Sequence, residues 1–171
     1  MRYTSVLDML FKSVCLCMIP VSALLYIGIA RAEDIDRVVA YVDNNAITYS
    51  ELRAEFNKNK GLRITEADTL NSMVNRMLLL KEARAMRLEA SGYEELLKEY
   101  IEIKIRSVIL IKEETVENFY SQNKNNFQNK SLSEVRDDIE MYLFEAETNR
   151  LLNQHISNLR KIYDVRIQFI E

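Results

Sequence analysis

Cysteine, proline, glycine and histidine are all scarce in this chain of 171 residues, and each scarcity excludes something. Both cysteines, Cys15 and Cys17, fall in an apolar N-terminal leader, so the rest of the chain forms no disulfide and has no thiol chemistry. The single proline, Pro20, lies in the same leader, and of the three glycines only Gly61 and Gly92 lie beyond it. With so few breakers and 29% charged residues, the remainder reads as mostly long helices. The one histidine, His155, falls in a long amphipathic pattern and reads as a partly exposed packing residue. A general base needs a nucleophile or an orienting partner, and no serine motif or cysteine supplies one. For a metal, one histidine and no cysteine leave only carboxylates, without a calcium-loop pattern. The pairs Glu94-Glu95 and Glu113-Glu114 read as solvated helix faces, and glycine-rich phosphate loops are missing. These residues assign no catalytic, metal or cofactor site.

The leader itself has the parts of an export signal. Arg2 and Lys12 are positive, Val14 to Ala30 is almost wholly apolar, and Ala30-Arg31-Ala32 offers small residues to a signal peptidase. Cleavage between Ala32 and Glu33 is expected, which sets residues 1–32 apart and leaves 33–171 as a single domain in the periplasm. The alternative is an uncleaved leader. At 17 residues, Val14 to Ala30 is at the lower limit of about 17 to 25 for a membrane span. It would then tether the domain to the outer face of the inner membrane. The whole chain carries 23 basic and 26 acidic residues. Removing Arg2, Lys12, Arg31 and Asp8 with the leader leaves 20 against 25, a net charge of −5. Mild acidity argues against a nucleic-acid surface, which needs a basic face.

Beyond the leader, Arg37 to Val42 alternates β-branched residues as a half-buried strand. Asp43-Asn44-Asn45 can turn the chain, because these residues tolerate left-handed backbone, and Ala46-Ile47 returns. Thr48-Tyr49-Ser50-Glu51 matches the capping box of a helix running to about Lys58. Thr65 caps a second helix, with Leu70, Met73, Val74, Met77 and Leu78 at helical spacing. Ser91-Gly92 breaks the pattern before a third helix, which carries Tyr93, Leu96, Leu97, Tyr100, Ile101 and Val108 on one face. Val108 to Ile111 is apolar nearly all round, which predicts deep burial there. A fourth helix is expected from Thr115 to about Lys124, then a polar, Asn-rich linker over 125–131. A last helix starts near Ser133 and runs to about Lys161, and Asp164 to Ile170 alternates as a strand. Its available partners are the strands near Val38 and Ile47, so both chain ends are predicted to meet in one small sheet.

Four of these segments, in this order after an export signal, resemble the SurA-type periplasmic chaperones. They are the strand, turn, strand and cap of Val38 to Glu51, the helix around Asn71 to Ala83, the segment Val116-Glu117-Asn118-Phe119-Tyr120-Ser121-Gln122-Asn123, and Leu132 to Ile170. The resemblance implies a mostly α fold, a helical chaperone core with a small sheet from the N-terminal strands and the C-terminal strand. It also shows a departure. Such chaperones usually carry a parvulin prolyl-isomerase domain between the Tyr-x-x-Asn helix and the long C-terminal helix. Here about Lys124 to Leu132 is the whole interval, dividing 33–124 from 132–171, and no parvulin histidines are present. The implied role is therefore non-enzymatic, an ATP-independent holdase for unfolded or partly folded secreted or outer-membrane proteins. It would need no cofactor, nucleic acid or small-molecule substrate. Met73, Met77, Tyr93, Tyr100, Phe119 and Tyr120 are the candidates for client contact, since methionine and aromatic surfaces adapt to varied partners. Each also suits a core position. The rival reading is a structural or assembly subunit with one dedicated partner, or a homodimer formed through the long helices.

Overall fold

The computed structural model describes residues 36–168, apart from residues 60, 62 and 129. The expected leader with its cleavage point at Ala32–Glu33, and the last residues of the expected closing strand, lie outside them. The described chain is mostly helical with one small antiparallel sheet. In chain order it runs β1 (Val38–Val42), β2 (Asn45–Thr48), α1 (Tyr49–Lys58), α2 (Glu66–Ala85), α3 (Tyr93–Lys104), α4 (Glu113–Gln122), α5 (Leu132–Ile162) and β3 (Val165–Ile167).

The sheet has the order β2-β1-β3, so the two ends of the described chain do pair, with Ala40 opposite Ile167 and Val42 opposite Val165. A bulge between Val38 and Ala40 breaks the simple alternation of β1, leaving Val39, Ala40 and Val42 all fully buried. Asp43 makes the β1–β2 turn with a left-handed backbone, φ 50°. A short polar side chain tolerates that conformation by bonding locally. Here the Asp43 carboxylate accepts from the Asp164 amide at 2.9 Å and pairs with Lys81 of α2. The Lys81 ammonium also lies 4.2 Å from the centre of the Tyr163 ring, and the Tyr163 hydroxyl donates to Glu82. One turn, one helix and the closing strand are thus fastened at a single point.

Helix starts follow the capping chemistry. Thr48 with Glu51, and Thr65 with Asp68, form reciprocal capping boxes at α1 and α2. At α5 the Ser131 amide donates to Glu134 at 2.7 Å, which moves the start ahead of the expected Ser133. Two apolar clusters result. The larger joins Val39, Val42 and Ile47 of the sheet to Leu52 of α1, Leu70, Val74 and Leu78 of α2, Tyr100 of α3 and Leu159 of α5. The smaller is Val116 of α4 with Val135 and Ile139 of α5, flanked by Ile111, Phe119, Tyr120, Phe127 and Leu143. The 31-residue α5, about 46 Å long, contributes to both clusters. Arg160 near its end donates to Asn75 at 2.7 Å and to Asn71 at 3.2 Å, clamping it to α2.

Two expectations change. The third helix stops at Lys104, and a 3-10 turn over Arg106–Val108 leads into extended backbone. Val108 to Ile111 is consequently not deeply buried: Val108 is 69% and Leu110 80% exposed. Helical burial of that run presumed a 3.6-residue period, and the extended chain imposes a period of two. The stretch expected as a linker is mostly exposed but is anchored through Phe127. Lys124–Phe127 forms a 3-10 turn, the Phe127 ring stacks on Tyr120 at 5.4 Å, and the Tyr120 hydroxyl donates to the Lys130 carbonyl at 2.8 Å.

Candidate functional site: a groove between two helices

Helix α2 has more apolar surface than one core face can use. Leu70, Val74 and Leu78 turn into the large cluster, while Met73, Met77 and Leu80, offset around the helix, remain half-buried. These three line one wall of an open groove of about 920 Å3. Ala54 and Glu55 of α1 stand on the other wall, Ala46 and Ile47 of β2 form part of its lining, and Tyr93 and Glu94 at the start of α3 contribute further lining. The groove exists because β2 runs straight into α1 through the Thr48 cap. The order of elements therefore sets α1 beside the surplus face of α2.

Several of the charges around it have partners within the chain. Arg76 pairs with Glu94, Lys58 with Glu55 at 2.8 Å, and the Arg84 guanidinium lies 4.9 Å from the centre of the Tyr93 ring. Asp68, also in the lining, bonds the Thr65 amide and hydroxyl, which hold its carboxyl below the usual carboxylate range. An ionised capping carboxylate is no proton donor. What the groove offers is methionine, alanine and leucine surface between charged residues, a lining for apolar side chains of varied shape.

Comparison with models of known protein families and with curated proteins finds no match. The functional reading therefore rests on the groove and on its surroundings.

Of the six candidates named from sequence, Met73, Met77 and Tyr93 come together in this groove. Tyr93, 62% exposed, is the most open of them. Tyr100 is fully buried in the large cluster and offers no surface. Its hydroxyl oxygen lies 2.6 Å from Nε2 of His155. Burial pushes the Tyr100 phenol up to about 12, and burial together with nearby Lys104 lowers the imidazole. We therefore assign the phenol as donor to a neutral His155, a bond that joins α3 to α5. Phe119 and Tyr120 belong to the small cluster, where Phe119 meets Tyr142 at a ring distance of 5.3 Å. Ala46, Ile47, Ala54, Ile64 and Leu80 line the groove without having stood out in sequence. The available signal was the breadth of the α2 stripe, too wide for one buried face. Among the described residues, no group of three or more His, Cys, Asp and Glu side chains is placed to hold a metal. Nor is any helix among them long and apolar enough to cross a membrane.

Proposed function

We propose that this protein is an exported, ATP-independent holdase that shields apolar segments of unfolded secreted or outer-membrane proteins, a SurA-like chaperone core without an isomerase domain. The observation that carries this reading is the groove, lined by Met73, Met77 and Leu80, with Lys58 paired to Glu55 and Arg76 to Glu94 beside it. Its volume of about 920 Å3 is at the upper end of the roughly 300–1,000 Å3 usual for ligand sites. Binding there lowers the free unfolded population by mass action, and aggregation falls with it. No nucleotide or bond chemistry enters that cycle.

The test is light scattering from a urea-unfolded β-barrel protein, diluted with and without this protein purified in the form in which it accumulates. Near-stoichiometric amounts should suppress the scattering. The double substitution Met73→Gln and Met77→Gln keeps the side-chain length and removes the apolar, polarizable surface. It should weaken suppression several-fold while the helical circular dichroism is retained. Folded protein that suppresses nothing removes the holdase reading. Met141 and Tyr142, 61% and 60% exposed on α5, favour a second reading, a subunit bound to one dedicated partner or to its own copy. A tight dimer that covers both residues would support it.

A further inference from the structure

The segment between α3 and α4 combines three properties that point to one kind of partner. Its backbone is extended, with φ −83° and ψ 126° at Ile109 and φ −80° and ψ 146° at Lys112. Its side chains alternate, since Val108 and Leu110 are largely exposed while Ile109 and Ile111 are half-buried. Its backbone is unpaired as well. The Ile109 amide donates to Arg106 at 3.1 Å, but among the described residues the amides of Leu110, Ile111 and Lys112 have no backbone partner. Neither do the carbonyls of Ile109, Leu110 and Ile111. The segment is held at both ends. Arg106 bonds Glu145 at 2.8 Å and lies 4.5 Å from the centre of the Phe144 ring, and Ile111 packs in the small cluster. A fixed, extended, apolar edge with open hydrogen-bonding groups is what strand addition requires. Proteins ordinarily blunt such edges with outward charge; here two of the three outward residues are valine and leucine, and the charge comes only at the end of the run, at Lys112.

We propose that Ile109–Lys112 is a strand-addition edge that takes an extended segment of an unfolded protein with apolar side chains at alternate positions. This deepens the holdase reading and rests on it. A second copy of the chain fits the edge less well. Only the residues after the Arg106–Val108 turn are extended, too short a ladder for two copies to hold on its own. Two exposed apolar side chains per copy also fall far short of the roughly 1,200–2,000 Å2 that a stable interface buries. A client chain long enough to reach the groove as well would gain by effective concentration and need no such area from the edge alone.

Amide hydrogen exchange tests the edge directly, with a short peptide alternating valine and threonine between terminal aspartates as the probe. Saturating peptide should slow exchange at least tenfold at Leu110 and Lys112, the alternate amides that share one side of an extended chain. Leu110→Pro removes one of these donors, and Ile109 already has the extended backbone that proline requires before it. That variant, and the pair Val108→Thr with Leu110→Thr, should lose the protection. Peptide that binds while these amides still exchange freely overturns the proposal. So does protection that grows with protein concentration without peptide, which would assign the edge to a second copy. If Leu110→Pro suppresses aggregation as well as the unaltered protein, the edge proposal fails and the holdase reading stands. Unaltered protein that suppresses nothing removes both.

Discussion

Glu82 accepts from the Tyr163 hydroxyl and lies close enough to Tyr100 to oppose its ionisation. The Tyr163 phenol is pushed up to about 12, first by that hydrogen bond and then by burial. Tyr100 reaches about 12 chiefly through burial. In the unfolded chain both return to the ordinary value near 10. A raised phenol keeps its proton in the fold, so its contribution is complete below about pH 10 and is lost as pH rises towards 12. The urea midpoint should therefore decline across that window, and Tyr100→Phe should make the decline shallower. A midpoint that stays flat from pH 10 to 12 would contradict the buried-tyrosine account. His155 works at the other end. Its lowered imidazole stays neutral in the fold, whereas the unfolded chain takes up a proton near pH 6.5. Stability should begin to fall as pH drops below about 6.5, before the carboxylates contribute.

Helix α5 passes from one core to the other by changing faces. Ile139 and Leu143 meet α4, whereas Leu152 and Leu159 meet the large cluster. Leu143 and Leu152 are nine residues apart, about two and a half turns, so the two contact faces are on opposite sides. Read as sequence, Val135 to Leu159 passes for one continuous stripe, because each half has its own helical spacing and nothing local marks the changeover. The helix's existence and length were legible from periodicity and a polar cap. Its double service was not, since that depends on what each half touches. One inserted alanine between Ala146 and Glu147 rotates the halves by about 100° relative to each other. Both cores then cannot be satisfied by one straight helix, and the smaller cluster, with only three buried residues, should yield first. Urea unfolding followed by circular dichroism should change from one transition to two, with α4 and the first half of α5 released early. A single transition at the original midpoint would mean that the halves are not registered through the helix.

At the scale of the molecule, the small sheet joining both chain ends was legible because Asp164 to Ile170 alternates cleanly and few other strands exist to pair with it. The groove was less so. Met73 and Tyr100 have similar helical patterning, yet one lines a wall and the other is sealed in the core, because the crossing of α1, α2 and α3 decides which side of a stripe is covered. The Val108 to Ile111 run was misplaced for a related reason: apolarity alone does not say where a helix stops. One consequence of the assembled molecule is its response to salt. Arg76 is paired to Glu94 and Lys58 to Glu55 at the groove, so a client entering it need not supply counter-charges to these residues. Binding should then rest on apolar burial and backbone pairing, neither of which is screened as exposed ion pairs are. The Kd for an uncharged alternating valine–threonine peptide with blocked ends, measured by calorimetry, should change by less than about two-fold between 0.05 and 0.5 M sodium chloride, with a negative heat-capacity change as the sign of apolar burial. A charge-steered binder would lose affinity steeply over the same range. That result would mean that the rim pairs open to receive the client and that charge, not the methionine wall, selects it.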